Sequence, residues 1–344
     1  MHPIKKIKLL IVDDSIIFRE ILKKGISSDE GIEVVATAKD PFDARDKIIQ
    51  FKPDVMTCDV EMPRMNGIEF VRRLLPQYPL PVIMVTTLSD TVFDAMNAGA
   101  VDFVVKPDAG SVKDVENFVH EMIQKVKIAA AAKVLPPKPD MVRKISIHDG
   151  ITEAEGIIAI GASTGGIEAI SHILKCLPVN IPGVVIVQHI PPVFSRMFAE
   201  RMNSSLQLTV KEAETGNYVE NGCVYIAPGD MHMKINKIGG RYKIECFSGD
   251  KVNGHRPSVD VLFDSVAKAA GSKALGIILS GMGYDGAKGL LNMKKAGAYT
   301  IGQDESSCVV YGMPRVAFNI GAVEKETSLQ QIPSLISSWV RNTG

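Results

Sequence analysis

Short apolar runs alternate with amphipathic stretches over the first 127 residues of the chain. Four of the runs have the length of buried strands, and they lie at residues 7–12, 55–58, 82–86 and 102–105. The amphipathic stretches carry apolar residues at helical spacing, as at residues 16–26, 43–51 and 115–128. This alternation predicts βα units, and therefore a parallel sheet with helices on both of its faces.

The pattern stops after residue 127. Four alanines at residues 129–132 lead into a segment that contains Pro136, Pro137 and Pro139. Closely spaced prolines cannot continue a helix, and they favour a semi-rigid extended chain. We therefore expect a linker at residues 128–153 that separates a first domain at residues 1–127 from a second at residues 154–344.

The alternation starts again in the second segment. A strand-like run at residues 156–160 precedes a helical stretch at residues 166–177, and further apolar runs follow at residues 184–187, 224–226 and 275–279. The second domain is therefore also predicted to be α/β. The expected fold class is two doubly wound parallel-sheet domains joined by a linker.

Composition adds limits on location and partners. The chain has 344 residues, with 39 basic and 39 acidic side chains, so its net charge does not favour nucleic acid or an anionic membrane. The first residues lack the apolar core of a secretory signal, and no run approaches the roughly 20 apolar residues that span a bilayer. We expect a cytoplasmic protein that is not inserted in the membrane.

Acidic residues follow two of the strands in the first domain. Asp13, Asp14 and Asp59 come directly after apolar runs, while Thr86 and Lys106 follow two other runs. The carboxyl ends of parallel strands share one edge of a sheet, so these side chains are expected to meet there. Clustered carboxylates suit Mg²⁺, and a carboxylate beside Mg²⁺ and a lysine is suited to phosphoryl transfer.

The first domain resembles the response-regulator receiver family. The resemblance rests on residues 10–15, on the segment 59–67 that begins Asp-Val-Glu-Met-Pro, on Thr86 and on Lys106-Pro107. It implies that Asp59 is phosphorylated and that Asp13, Asp14 and Asp59 hold Mg²⁺. It also implies that Thr86 and Lys106 sense the phosphoryl group, together with an aromatic residue, Phe103.

A serine lies on a glycine-rich turn in the second domain. Residues 161–166 read Gly-Ala-Ser-Thr-Gly-Gly, between a predicted strand and a predicted helix. A dinucleotide fingerprint requires glycine where Ser163 stands, and a phosphate-binding P-loop requires lysine where Ile167 stands, so both fail. The remaining match is G-x-S-x-G, the pattern of a nucleophilic serine at a strand–turn–helix junction.

A nucleophilic serine needs a base and a group that orients the base. Among the seven histidines, His189 follows the apolar run at 184–187 and is expected at the same sheet edge as Ser163; His232 and His255 remain alternatives. Asp285 follows the run at 275–279 through a glycine-rich turn. It is the expected third member of the triad, although a role as a helix N-cap is also possible for it.

The second domain resembles the catalytic domain of chemotaxis protein-glutamate methylesterases. The resemblance includes the turn at residues 161–166, the segments 188–192, 254–260 and 281–286, and the final motifs at 303–305 and 311–314. Ile190 and Ser280 depart from the residues usual in that family. The resemblance implies hydrolysis of glutamate methyl esters on chemoreceptors with release of methanol, and deamidation of receptor glutamines.

The resemblance also implies a mechanism and its partners. Ser163 is the nucleophile, His189 the base and then the acid, and Asp285 its orienting group, with Met282 N–H and Thr164 near the oxyanion. Methyl-accepting chemoreceptors are the substrates, a chemotaxis histidine kinase is the phosphodonor, and ester hydrolysis needs no cofactor. The rival hypothesis is a response regulator whose second domain only binds a partner, which would leave the three strand-end residues unexplained.

Overall fold

The structure is a computed structural model that describes residues 5–87, 91–107, 111–134 and 155–343. The chain divides into two compact units, residues 1–139 and 140–344. This division falls inside the expected linker, of which residues 135–153, with Pro136, Pro137 and Pro139, lie outside the described residues. The helix before the linker ends at Ala129, so the regular structure of the first unit runs past the predicted limit of residue 127.

The first unit alternates strands and helices along the chain. Its elements are β1 (Ile7–Val12), α1 (Ile16–Ile26), β2 (Ile32–Ala38), α2 (Pro41–Phe51), β3 (Val55–Asp59), α3 (Gly67–Leu74), β4 (Val82–Thr86), α4 (Thr91–Asn97), β5 (Asp102–Val105) and α5 (Val112–Ala129). The strands form a parallel sheet in the order β2-β1-β3-β4-β5. Every residue of β3 and β4 is buried, which explains why these strands are continuous apolar runs in the sequence.

The second unit is built in the same way and adds an antiparallel hairpin. Its elements are β6 (Ile157–Ala162), α6 (Gly166–Cys176), β7 (Gly183–Gln188), α7 (Pro192–Ser205), β8 (Thr209–Glu212), β9 (Cys223–Ile226), β10 (His232–Ile238), β11 (Arg241–Phe247), α8 (Val259–Ala270), β12 (Ala274–Ile278), α9 (Ala287–Lys295), β13 (Tyr299–Gln303), α10 (Met313–Asn319), β14 (Lys325–Thr327) and α11 (Ile332–Thr343). The sheet is parallel, in the order β14-β13-β12-β6-β7-β9-β8, and β10 pairs with β11.

The central strand β6 is covered on both faces. Ile157 and Ala159 belong to a core shared with Phe263 of α8 and Leu290 of α9. Ile158 alternates with them, points to the opposite face and is also fully buried. The predicted fold class, parallel α/β in both units, is confirmed. No helix in the described part of the chain is long and apolar enough to cross a membrane.

Candidate active site

The acidic residues of the first unit meet at the carboxyl edge of its sheet. Asp13 follows β1 and Asp59 ends β3; both are buried, while Asp14 is exposed. One carboxylate oxygen from each of the three lies within 4.8 Å of the others. Lys106, which follows β5, places Nζ 2.9 Å from Asp13 Oδ2 and 2.6 Å from Asp59 Oδ2. The four side chains therefore form one charged cluster.

Burial sets the electrostatics of this cluster. It raises the pKa of Asp59 to about 6; the nearby Asp13 charge adds to the shift, and the Lys106 ammonium opposes it. Burial also tends to lower the pKa of Lys106, but hydrogen bonds and attraction to the two carboxylates outweigh it and raise that pKa. The lysine therefore stays charged, and its charge opposes the rise in the pKa of Asp59.

Thr86 and Phe103 lie in β4 and β5, the two strands that follow β3 across the sheet. Thr86 ends β4, is buried, and its hydroxyl donates to the Thr87 carbonyl over 2.9 Å. The Phe103 side chain is buried in β5, and Lys125 Nζ lies 5.1 Å from the centre of its ring. Their part in sensing a phosphoryl group stays a prediction.

In the second unit, three neighbouring strands bring Ser163, His189 and Asp285 to one edge. Ala162 of β6 pairs with Gln188 of β7, so Ser163 and His189 leave adjacent strands at the same level. The His189 amide donates to the Ala162 carbonyl over 3.2 Å, and the Ser163 amide donates to the Ser280 carbonyl, just beyond β12, over 3.0 Å. Ser163 is therefore held between the ends of β7 and β12.

Two glycines permit this sharp turn. Gly165 has φ +77 at the start of α6, a left-handed conformation that costs little only for glycine. Gly281 lies against the serine, because a Cβ built on it would approach Ser163 Cβ to 2.7 Å. The glycines of the sequence pattern therefore allow the backbone to turn sharply and to approach Ser163 closely.

His189 and Asp285 form a buried pair. His189 Nε2 lies 3.0 Å from Asp285 Oδ2, with 8% of the histidine side chain and 1% of the aspartate side chain exposed. Ionised carboxylates only accept hydrogen bonds, so Nε2 carries the hydrogen in the neutral ring. Its other nitrogen, Nδ1, is buried and has no hydrogen-bond partner within the described chain. Nδ1 is thus the nitrogen left to act as a base.

Asp285 accepts a dense set of hydrogen bonds. The donors besides His189 are the Ser258 hydroxyl at 2.7 Å, the Asn253 amide at 2.8 Å, and the backbone amides of Val259 at 2.7 Å and Asp260 at 3.2 Å. The two backbone amides begin α8. Asp285 therefore caps a helix, as its sequence position also allowed. The capped helix is α8, however, and not α9, which follows Asp285 in the chain.

These contacts decide the charge of Asp285. Burial tends to raise its pKa, but hydrogen bonding and attraction to His189, with the Asn253 and Ser258 donors, hold the pKa well below its usual range. The positive end of α8 acts in the same direction. The carboxylate is therefore ionised throughout the neutral pH range and fixes His189 by its Nε2.

Ser163 is held next to the His189–Asp285 pair by backbone hydrogen bonds. Within the described residues, no hydrogen bond joins Ser163 Oγ to His189.

The structure also places the other residues predicted near this site. The side chain of Thr164 is buried, and its backbone carbonyl accepts from Ser280 Oγ over 2.8 Å. Met282, in contrast, is 45% exposed. His232 is a structural residue, with Nε2 on the Asp250 carbonyl and Nδ1 on the Ser258 amide. The structure therefore shows a formed His189–Asp285 pair and places Ser163 at the adjacent strand end; their role as a triad stays a prediction.

Comparison with known proteins identifies the second unit. The family model described as CheB methylesterase matches residues 158–336, just over half of the chain. The chain belongs to the CheB methylesterase family. The model of the response regulator receiver domain matches residues 9–114. Both resemblances drawn from the sequence are therefore confirmed.

Relatives of the CheB family match the chain over nearly its whole length. A protein-glutamate methylesterase/protein-glutamine glutaminase of Syntrophomonas wolfei is 57% identical and covers 96% of each chain. One with the same name from Salmonella typhi is 50% identical over 95% of each chain. The crystal structure of the Thermotoga maritima CheB methylesterase catalytic domain is 40% identical, with a TM-score of 0.52, covering 54% of this chain and 98% of that one.

Three residues at the CheB-type site were not assigned from the sequence. Asn253 and Ser258 bind Asp285, and the His255 ring stacks on that of His189. Ser258 and His255 lie in the segment that carried the family resemblance, where His255 was only an alternative base. Asn253 had a weaker signal, since it begins an Asn-Gly pair typical of a tight turn.

Proposed function

We propose that the chain hydrolyses glutamate methyl esters of chemotaxis receptors, deamidates receptor glutamines, and is controlled by phosphorylation of Asp59. Membership of the CheB family and relatives named for both activities support the two reactions. The observation that carries the proposal is the buried His189–Asp285 pair, in which Nδ1 of the ring has no hydrogen-bond partner among the described residues, at a strand end adjacent to that of Ser163. A purely binding role for the second unit would leave this pair without a purpose.

In the acylation step, His189 Nδ1 accepts the proton of Ser163 Oγ while Oγ bonds to the ester carbonyl carbon. Asp285 stabilises the imidazolium through the Nε2–H hydrogen bond. The imidazolium then returns its proton to the departing methoxide, so methanol leaves and an acyl-serine remains. With a glutamine substrate the same steps release ammonia.

Deacylation reverses the roles. His189 Nδ1 takes a proton from water, whose oxygen bonds to the acyl carbon. The protonated ring then returns the proton to Ser163 Oγ as the acyl bond breaks, which leaves a receptor glutamate. This use of Nδ1 toward the serine follows from the hydrogen bond of Nε2 to Asp285.

The developing oxyanion needs fixed donors. Ser163 precedes the start of α6, where backbone amides and the helix dipole favour negative charge. We assign the Met282 N–H as one donor, and we place Thr164 near the oxyanion. The loop that carries Met282 is held by Gly281, whose carbonyl accepts from Met313 N over 2.8 Å.

The acidic cluster of the first unit is assigned to phosphorylation. Asp13, Asp14 and Asp59 offer only carboxylate oxygens at close range, a donor set that suits Mg²⁺. When bound, Mg²⁺ would supply positive charge for the phosphoryl oxygens. Lys106 supplies the same kind of charge from the protein, and the Asp59 carboxylate makes the bond to phosphorus.

The proposed partners follow from these two reactions. The substrates are methyl-accepting chemoreceptors and the phosphodonor is a chemotaxis histidine kinase. The proposed location is the cytoplasm. Ester hydrolysis itself is assigned to the side chains of the second unit, without a cofactor.

Substitution of the serine tests the hydrolase assignment. Ser163→Ala removes the nucleophile, so methanol release from methylated receptors should fall by a factor on the order of 10⁴–10⁶. Ser204→Ala, on the exposed surface of α7, is the matched control and should release methanol at the wild-type rate. Near-normal release by Ser163→Ala would rule out the proposed nucleophile.

A further inference from the structure

A tight turn at residues 252–255 reaches the catalytic pair. Val252 and His255 exchange backbone hydrogen bonds of 3.0 and 2.9 Å, with two residues between them. Both intervening residues are left-handed, Asn253 at φ +54 and Gly254 at φ +83. This is a two-residue hairpin turn of the type that Asn-Gly favours. Its geometry sends Asn253 and His255 toward two different members of the triad.

The Asn253 amide bridges two buried carboxylates. Its Nδ2 donates to Asp285 Oδ1 over 2.8 Å and to Asp260 Oδ2 over 2.7 Å. The other Asp260 oxygen accepts from the Gly289 amide at the start of α9 over 2.6 Å. Burial and the Asp285 charge raise the pKa of Asp260, which the hydrogen bonds from Gly289 and Asn253 oppose. Both amide hydrogens of Asn253 are therefore used, and Asp285 is tied to the bodies of α8 and α9.

The His255 ring covers the catalytic imidazole. Its centre lies 3.7 Å from that of His189, and the ring planes differ by 7°. Burial, with the nearby His189, lowers the pKa of His255 to about 4, so its ring is neutral at neutral pH. A flat neutral ring at this distance restricts rotation of His189 out of the plane that joins Nε2 to Asp285. It adds no charge that would oppose the imidazolium formed in the reaction.

We propose that the turn at residues 252–255 is a positioning element of the active site, in which Asn253 orients Asp285 and His255 fixes the plane of His189. The inference rests on the proposed function and deepens it. Neither residue takes a proton from Ser163 in this scheme. Within the described residues His255 has no hydrogen bond to a carboxylate that would orient it as a base, whereas His189 has one.

Asn253→Gly tests the first half in the full-length chain. Glycine keeps the left-handed turn and removes only the amide. We expect labelling of Ser163 by a fluorophosphonate to slow by about 10²-fold, the scale of a small misplacement of a catalytic group. Lys52→Gly is the matched control: it also replaces a side chain at positive φ, +47, but at the end of α2 in the receiver unit, and should label at the wild-type rate.

A double variant separates positioning from general structural damage. If Asn253 acts through Asp285, Asn253→Gly should cost almost nothing further in the Asp285→Ala background. An equal loss in both backgrounds would overturn the assignment, because Asn253 would then act independently of Asp285. Urea unfolding of each variant, followed by the single tryptophan Trp339 of α11, verifies that the second unit is folded.

His255 is tested by ring replacement. His255→Ala removes the stacked ring and should also slow Ser163 labelling by about 10²-fold. His255→Phe restores a flat ring without nitrogens and should recover most of the rate. Equal loss in both variants would overturn the stacking role, because it would show that the ring nitrogens are needed.

The two proposals fail in different ways. Failure of the proposed function appears as methanol release by Ser163→Ala or as labelling at another residue, located by mass spectrometry. Failure of the positioning role appears as wild-type labelling of Ser163 in Asn253→Gly and His255→Ala. The second result would leave the hydrolase assignment intact.

Discussion

At the scale of single residues, the active site keeps one carboxylate charged and one imidazole neutral within the same few ångströms. Asp285 stays ionised because five hydrogen bonds reach its two oxygens. His255 stays neutral because burial, with the nearby His189 and Lys251, lowers its pKa. The charge of Asp285 acts in the opposite direction but is outweighed. The fold therefore stabilises one ionisation state of each group and disfavours the other.

This arrangement predicts a pH-dependent stability. The folded protein holds the pKa of His255 at about 4, whereas an unfolded chain protonates histidine near pH 6.5. Between these values the unfolded state binds more protons, so the free energy of unfolding falls as the pH is lowered from 6.5 toward 4. In His255→Phe this contribution is absent. Urea unfolding should show that the free energy of unfolding falls more between pH 7 and pH 4.5 in the wild type than in the variant.

The pH window isolates His255 from Asp285. The lowered pKa of Asp285 contributes stability that is lost only as the pH falls below about 3.9, the ordinary pKa of an aspartate. Measurements at pH 4.5 and above stay clear of that loss. If the two proteins lost equal stability between pH 7 and 4.5, His255 would not be held neutral by the fold.

At the scale of elements, the strand ends were predictable and the contacts between distant loops were not. Buried parallel strands are continuous apolar runs, so the ends of β1, β3, β4 and β5 located the acidic cluster, and those of β6, β7 and β12 located the three residues of the proposed triad. The partly exposed strand β2 escaped the sequence pattern, and so did the hairpin β10–β11. Neither carries a residue of the acidic cluster or of the proposed triad, although His232, an alternative base, begins β10.

The turn at residues 252–255 shows what the sequence pattern lacks. Asn253 reaches a carboxylate 32 residues further along the chain, and both residues lie in loops. Apolar periodicity predicts elements and their ends, but it contains no information on which loops approach each other. The same reason left His255 as an alternative base: its stacking on His189 depends on tertiary structure.

The turn into α6 gives a prediction at this scale. Gly165→Ala forces a side chain into φ +77 and brings its Cβ to 2.6 Å from Val309 Cβ. Gly216→Ala is the control, because it has φ +103 but nothing within 4 Å of the added Cβ. Both should lose about 1–2 kcal/mol from the left-handed backbone. Gly165→Ala should lose about 1–3 kcal/mol more from overpacking.

Urea unfolding followed by Trp339 fluorescence compares the two glycine variants, and methanol release adds a functional measure. Gly165 lies two residues after Ser163, so only its replacement should also reduce release. Equal stability loss in the two variants would mean that Val309 moves aside without cost. Glycine would then be required at this turn only for its left-handed backbone conformation.

At the scale of the whole molecule, two compact units carry the two halves of the proposed activity. The acidic cluster lies entirely in the first unit, and the proposed triad with the turn at residues 252–255 lies entirely in the second. Phosphorylation of one unit can change hydrolysis in the other only if the two are energetically coupled. Such coupling is a property of the intact chain, so it must be measured on the intact chain.

The receiver unit offers a matched pair of aspartates for that measurement. Asp59 ends β3 inside the acidic cluster, while Asp54 directly precedes the same strand at its opposite end and accepts from the Lys8 amide over 2.9 Å. With Mg²⁺ and a small acyl phosphate, methanol release by the wild type should rise by about 5- to 150-fold, the range of ordinary coupling energies. Asp54→Asn should respond like the wild type, and Asp59→Asn should not respond. Stimulation of Asp59→Asn would place the phosphorylated residue elsewhere, whereas loss of stimulation in both variants would trace the effect to damage of β3 rather than to the phosphoacceptor.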